Sequence, residues 1–497
     1  MPWCCKFMGC WNKVQGTGWL YPTILLCIFG FFSLMRPSEP FLVPYLAGPD
    51  KNLTTDQITN KILPIWTYSY LVMLFPVFLA TDYLRYKPII ILQGICFIIS
   101  WLLLLFAQGV LAMQFLEFVY GTGSATEIAY YAYIYSVISS EHYQKVTSYC
   151  RSITLVGYTV ASVLAQVLVS VGNVSYYYLN AISLASVSVA FLTSLLLPMP
   201  SRSMFFHRKD EAVKFDVPPS VEDLNAESES PGPQSNVHRK TSSQPSVVSD
   251  ESVSQYKDKG LLKVLLQLWS DFKECYSSPQ LLTWSIWWAL ATCGYNQIVN
   301  YIQVLWDHIE PSENAMVYNG GVEAAGALLG AATSFAVGYV KLDWEVWGEL
   351  ALGIFSAVNS AALYTMDQVD NIWVCYAMYV VFKASYVLLI TIATFQIASN
   401  MSMERYALLF GINTFIALAL QTILTVIVVD SRGLGLDIIT QFLIYGSYFA
   451  VIAGMFLIRG ICVIVQNKCK RKRQITSEIT EETASPSGNE TDISERF

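Results

Sequence analysis

The sequence predicts an all-α integral membrane protein with twelve transmembrane helices in two six-helix halves. Three observations predict it. The 497 residues are 54% hydrophobic and only 13% charged, with a mean hydropathy of +0.44, whereas soluble domains carry about 25% charged residues. Apolar stretches near the roughly 17–25 residues that cross a bilayer recur about twelve times. A long polar insert divides the first six from the last six. The net charge of −7 comes largely from acidic segments outside these stretches and gives no sign of a nucleic-acid partner.

A cytoplasmic tail of residues 1–18 comes first, without a cleavable leader pattern, so Trp19 onward reads as a retained span. The N-terminal bundle, 19–198, holds spans near 19–36, 63–81, 88–107, 111–137, 152–171 and 176–197. Residues 199–279 form a cytoplasmic linker; its stretch 199–258 is rich in Ser, Pro, Glu and Lys, a composition that buries no core and reads as disordered. Within it, 260–276 is amphipathic: Leu261, Leu265, Leu268, Trp269 and Phe272 make an apolar face suited to the inner membrane surface. The C-terminal bundle, 280–466, holds spans near 281–305, 319–340, 346–366, 372–398, 407–429 and 438–465. A disordered cytoplasmic tail, 467–497, ends the chain. Two six-span halves joined by a long inner linker point to the major facilitator fold, in which the halves rock about a site at the membrane midplane.

Basic residues orient the chain. Arg85, Lys87, Lys145, Arg151, Lys341, Arg405 and the Lys468–Arg473 cluster fall in alternate loops, while Lys51, Lys61 and Arg432 fall in the opposite ones. Positive loops stay inside, which puts both termini in the cytoplasm. The sequons at Asn52 and Asn173 then lie outside and are candidate glycosylation sites; those at Asn400 and Asn489 lie inside. None of the eleven Cys falls in an outer loop, so no disulfide framework is expected.

Few ionisable residues lie within the spans: Arg36, Glu39, Glu117, Glu127, Glu323, Glu349 and Lys383. A charge in the bilayer is costly, so each is a functional candidate unless it is paired. Arg36 and Glu39 stand three apart and can neutralise each other at the outer end of span one, beside Pro40. Glu349 lies near an inner boundary and reads as solvated. Lys383 needs a partner, and a salt bridge to an intramembrane glutamate is expected.

Span four, FLEFVYGTGSATEIAYYAYIYSV, is different. At about 100° per residue, Glu117, Tyr120, Gly121, Ser124 and Glu127 share one side of a continuous helix. That side must face protein or a watery cavity. No basic residue lies within a turn of Glu117, which is read as a ligand contact rather than a neutral carboxyl bonded to a neighbouring helix. Glu127, about 15 Å deeper, suits a proton relay or gate as well as contact. Trp66 and Tyr70 share a face of span two at i, i+4; an indole face holds a cation with about 0.5–2 kcal/mol, or Trp66 anchors the interface. Tyr158 follows Gly157, where another helix can approach closely. Span seven carries Asn296, Gln297, Asn300, Tyr301 and Gln303, with Asn296 and Asn300 one turn apart. Trp284, Trp287 and Trp288 are expected at the inner interface. Glu323 sits among Gly and Ala as either a path residue or a buried hydrogen-bond hub. Carboxylates beside aromatics inside a membrane suggest a site for an organic cation.

The runs RPSEPFLVPYLAGPDKNLT, WTYSYLVMLFPVFLATDYLRYKP, FLEFVYGTGSATEIAYYAYIYSV, YNGGVEAAGALLGA and MERYALLFGINTFIALALQT closely resemble the vertebrate thiamine transporters, in the solute carrier family they share with the reduced folate carrier. The likeness covers nearly all of the membrane region and stops at the tails and the linker. It implies thiamine uptake across the plasma membrane by alternating access. It also implies substrate contacts at Glu117, Trp66, Tyr120, Tyr158 and Asn300, with Glu39, Trp101, Glu127 and Glu323 lining or supporting the path. No cofactor is implied, and protons are a candidate coupled ion.

The residues and the resemblance agree: thiamine pairs a permanently charged thiazolium with a neutral aminopyrimidine, which suits one acid among aromatic faces. Pyridoxine-like aromatic cations and folates are the alternative substrates. Folates are anions and need basic residues in the path, where only Arg36 and Lys383 stand. An enzyme is not expected, since the four His lie outside the spans and no HExxH or paired-Cys metal pattern occurs. A receptor that binds without transporting leaves the same site residues.

Overall fold

The computed structural model describes residues 19–138, 142–200, 276–312, 316–337, 344–398 and 403–484, with a few positions between 266 and 273. The N-terminal tail, nearly all of the linker and the last thirteen residues lie outside them. So does most of the amphipathic stretch, of which Leu266 and Trp269 are helical and exposed.

Every regular element described is helical. The first region contains α1 (Leu20–Leu34), α2 (Leu42–Ala47), α3 (Leu63–Tyr83), α4 (Lys87–Phe106), α5 (Val110–Ala125), α6 (Glu127–Val137), α7 (Tyr143–Ser170) and α8 (Tyr176–Leu196). The second contains α9 (Pro279–Ile309), α10 (Asn319–Val337), α11 (Trp344–Gln368), α12 (Ile372–Ala398), α13 (Met403–Leu424) and α14 (Ile438–Ala484). The last helix therefore runs well past 466, the expected end of its bundle, because KRKRQITSEITEETA is rich in good helix formers. Within each region the helices pack on one another. Across the two regions α7 meets α10, α3 meets α13 and α2 meets α9.

Among the described residues, nine helical stretches are long and apolar enough to cross a membrane. The three remaining expected spans, the α5–α6 pair, α9 and α10, are also helical but do not meet both conditions over the described residues. These are the elements that carry Glu117, Asn300 and Glu323.

Two expected spans are broken. Span one unwinds after Leu34, because Pro37 disfavours helix before it and Pro40 and Pro44 cannot donate backbone bonds. A short 3₁₀ turn, Glu39–Phe41, leads into α2. The stranded backbone finds side-chain partners, as irregular backbone within a membrane must: the Ser38 amide donates to Ser183 Oγ at 3.1 Å. Span four is also not the continuous helix expected. It breaks at Thr126 in the weak helix-forming run GTGSAT, where Thr126 Oγ1 donates to the Gly123 carbonyl at 2.5 Å.

Two further expectations change. Trp284 and Trp287 are buried in the core, Trp287 donating to Ser356 Oγ at 3.3 Å, so these two indoles are packing residues rather than interface anchors. Glu349 is buried and paired with Arg459 Nε at 3.0 Å instead of being solvated. Gly157 behaves as read: a Cβ there would lie 2.6 Å from the Phe31 carbonyl oxygen, so α7 and α1 touch backbone to backbone.

Candidate functional site

One cavity of about 260 Å³ lies between the helices of the two regions, near the low end of the roughly 300–1,000 Å³ of small-molecule pockets. The unwound segment after α1 brings Ser38 and Glu39 to it. Trp66 comes from α3, Trp101 from α4, Glu117 and Tyr120 from α5, and Tyr158 from α7. On the opposite side stand Asn296, Asn300 and Gln303 from α9 and Glu323 from α10. Of the contact and path residues that the resemblance implied, Glu127 alone is not on its lining; it opens α6, just past the Thr126 break.

The aromatic wall is fixed from behind. Trp66 Nε1 donates to Ser124 Oγ at 3.1 Å, and its ring lies 5.7 Å from that of Tyr70. Trp101 Nε1 donates to Ser38 Oγ at 2.9 Å, and its ring stands edge-on to Tyr120 at 6.0 Å. Gly121 lets α5 and α3 approach: a Cβ there would fall 1.9 Å from Ser69 Oγ and 2.8 Å from the Trp66 carbonyl. Ser69 Oγ also donates to the Glu117 carbonyl at 3.3 Å, which joins the two helices at the acid itself.

The three lining acids differ in their partners. Glu39 pairs with Arg36 at 3.2 Å and accepts from Tyr120 OH at 2.6 Å. Arg36 is itself enclosed, its guanidinium 4.9 Å from the Phe97 ring centre, 5.6 Å from Trp101 and 5.7 Å from Tyr120. Glu323 is ion-paired and hydrogen-bonded to Lys383, and it accepts from Tyr158 OH at 2.5 Å and Tyr379 OH at 2.8 Å. It is thus both a lining residue and a hydrogen-bond hub. Glu117 is only 4% exposed, yet its carboxylate has no ion pair or hydrogen bond among the described residues. Two acids come with their own cation; the third faces the cavity uncompensated. Asn300 adds an amide nitrogen with no hydrogen-bond partner among the described residues, a donor available to whatever fills the space.

Gln303, Tyr379 and Ser38 are the functional neighbours that sequence reasoning did not select as site residues. Gln303 was visible as the third polar residue after Asn296 and Asn300 at i, i+4, i+7. Tyr379 and Ser38 carried no signal, since a Tyr or Ser in a span is common. The described residues hold no group of His, Cys, Asp and Glu able to bind a metal ion.

The end of the bundle that carries Asn52 and Asn173 is tied together across the two regions. Tyr68 OH donates to Asp430 Oδ2 at 2.7 Å, and the Ser431 amide reaches the Asn60 carbonyl at 3.4 Å. Two π turns, Gln57–Ile62 and Thr425–Val429, flank this junction. Both sequon asparagines are exposed in left-handed turns, with φ of 51° and 46°, a conformation Asn tolerates.

The profile of the reduced folate carrier family matches residues 17–444. Thiamine transporter 2 of Homo sapiens is 58% identical over 474 residues, which is 94% of this chain and 95% of that protein. Thiamine transporter 1 of Homo sapiens is 58% identical over 477 residues, again 94% and 95%. The reduced folate transporter of Homo sapiens is 42% identical over 444 residues, 88% of this chain and 72% of that protein. Among solved structures, the nucleoside transporter NupG superposes with a TM-score of 0.54 at 12% identity, over 88% of this chain and 98% of that one. A POT family transporter in complex with a thioalcohol-conjugated peptide gives 0.58 at 11% identity, over 89% and 96%. At such identities the likeness is one of fold.

Proposed function

Because the chain belongs to the reduced folate carrier family, and its cavity holds one uncompensated acid among aromatic faces, we propose that it is a transporter for thiamine. It works in the plasma membrane by alternating access, with both termini in the cytoplasm. Its twelve spans form two six-helix halves in the major facilitator arrangement, joined by the linker at 199–279. The relatives at 56–58% identity are thiamine transporters, which supports vitamin uptake over an enzymatic role.

The observation that carries the reading is the charge count of the site. Arg36 neutralises Glu39 and Lys383 neutralises Glu323, so the cavity retains the charge of Glu117 alone. A monocation balances it. Glu117 accepts from the exocyclic amine of the aminopyrimidine or faces the thiazolium. Trp66, Tyr120 and Tyr158 supply ring faces, each worth about 0.5–2 kcal/mol against a desolvated cation. Asn300 donates from the far side. The same count disfavours folate, because both cations near the cavity are already engaged. Glu39, Trp101 and Glu323 shape the path, and Glu127 remains a candidate proton carrier behind it.

The test is labelled uptake into cells that express the chain. Glu117→Gln is expected to reach the surface and to lose thiamine uptake by about tenfold or more, since one charge-assisted contact is worth about 1.5–3 kcal/mol. Wild-type uptake by Glu117→Gln refutes the assignment. Unlabelled pyridoxine and a reduced folate, added as competitors, rank the alternative substrates. Repeating the uptake across external pH tests the coupled proton, and exchange in proteoliposomes separates a transporter from a receptor.

A further inference from the structure

Two glutamines, one from each region, make the same contact with the other region. Gln303 of α9 accepts from the Val43 amide at 3.2 Å through Oε1, and its Nε2 donates to the Glu39 carbonyl at 2.9 Å. Gln166 of α7 accepts from the Gly321 amide at 3.0 Å, and its Nε2 donates to the Val317 carbonyl at 2.9 Å. In both cases the gripped groups belong to residues i and i+4, Glu39 with Val43 and Val317 with Gly321. Each amide thus stands where the first turn of a helix would close its own bond. Val43 and Gly321 lie in the first turns of α2 and α10, whose amides have no partner within their helix.

We propose that Gln303 and Gln166 form a reciprocal pair of clasps that holds the mouth of the pathway shut at the Asn52 and Asn173 end. The inference rests on the alternating-access reading above. One side chain bridges a backbone donor and acceptor, so the grip requires both regions in register and fails when they part. The gripped groups adjoin the site: Glu39 and Glu323 lie on the cavity, next to the two clasped turns. The helices are close enough for this only because residue 320 is glycine; a Cβ there would lie 2.7 Å from the Ser162 carbonyl oxygen. When the mouth opens, the released amides and carbonyls face water, which replaces the lost bonds at small net cost. Such a seal is strong in geometry and weak in energy, as a gate that must cycle requires.

Accessibility from outside the cell tests it. A reporter is placed on the cavity by Val299→Cys, and its reaction with an impermeant thiol reagent is timed on intact cells. Adding Gln303→Leu or Gln166→Leu is expected to speed labelling by about fivefold, from the loss of two hydrogen bonds in each case. Gln166→Asn, an amide one methylene too short to span both partners, behaves like Gln166→Leu. Unchanged labelling in either position overturns the paired clasp. Because Gln166 does not line the cavity, its variants act on half-saturation only through the share of protein with an open mouth, so half-saturation falls as labelling speeds up; a rise in half-saturation also counts against the proposal. Should the variants be retained inside the cell, hydrogen exchange on the purified wild-type chain decides. Segments 39–47 and 317–325 are expected to change protection together when thiamine is added, and independent responses overturn the pairing. Wild-type thiamine uptake is measured alongside: its absence sinks the transport reading, whereas the labelling result stands apart from it.

Discussion

At the scale of single residues, partners decide roles. Lys383 and Glu323 are both buried and paired, and two tyrosines complete the acid's hydrogen bonding. Removing one partner leaves a charge stranded in a dry interior. Lys383→Gln is therefore expected to lower stability by about 3–5 kcal/mol, seen as a loss of thermal resistance in the purified protein. The double variant Glu323→Gln/Lys383→Gln recovers most of it, and a double as unstable as the single refutes the pair's structural role. The sequence made the need for such a partner legible, because lysine within a span has few alternatives. It did not reveal which glutamate, since that depends on how α10 and α12 pack. The unusual status of Glu117 was readable from its distance to any basic residue in the chain. The place of Glu127 off the cavity lining was not, because the shape of a cavity depends on how distant helices pack.

At the scale of elements, close approach is set by small residues. α3 and α5 meet where Gly121 faces Ser69, and there is no room for a methyl group. Gly121→Ala is expected to part the two helices, shift both Trp66 and Glu117, and cut thiamine uptake severely while leaving other helix contacts intact. Adding Ser69→Gly opens the space and restores part of the activity; failure to do so would place the damage elsewhere. Breaks in helices were partly legible. Pro37, Pro40 and Pro44 mark the first one chemically, whereas Thr126 ends α5 through a run of small residues whose individual propensities are only mildly unfavourable. α14 continues as helix to Ala484 through the first part of the stretch that reads as disordered, because charge and polarity there resemble disorder although each residue tolerates a helix.

At the scale of the whole molecule, orientation is the proposition most exposed to test. The basic residues predict which end is inside, and the sequon asparagines Asn52 and Asn173 stand exposed at the other. Glycosidase treatment is expected to speed the electrophoretic migration of the wild-type chain, less so for Asn52→Gln or Asn173→Gln, and not at all for the double variant. A shift that survives in the double variant reverses the assignment. That the chain is a series of long apolar helices was available in the sequence because it is a local property. The joining of distant turns by Gln303 and Gln166 was not, because nothing local distinguishes a clasp from any other buried amide.

The polar residues set inside the α5–α6 pair, α9 and α10, Glu117, Asn300 and Glu323 among them, have a consequence before the protein ever meets its vitamin. Segments leaving the ribosome enter the bilayer according to how oily they are, and each such residue weighs against entry. Oilier residues in the same span have to outweigh it. Inherited changes that add polarity here would then act first as failures of biosynthesis, with the chain held back and degraded, and only in the survivors as failures of recognition.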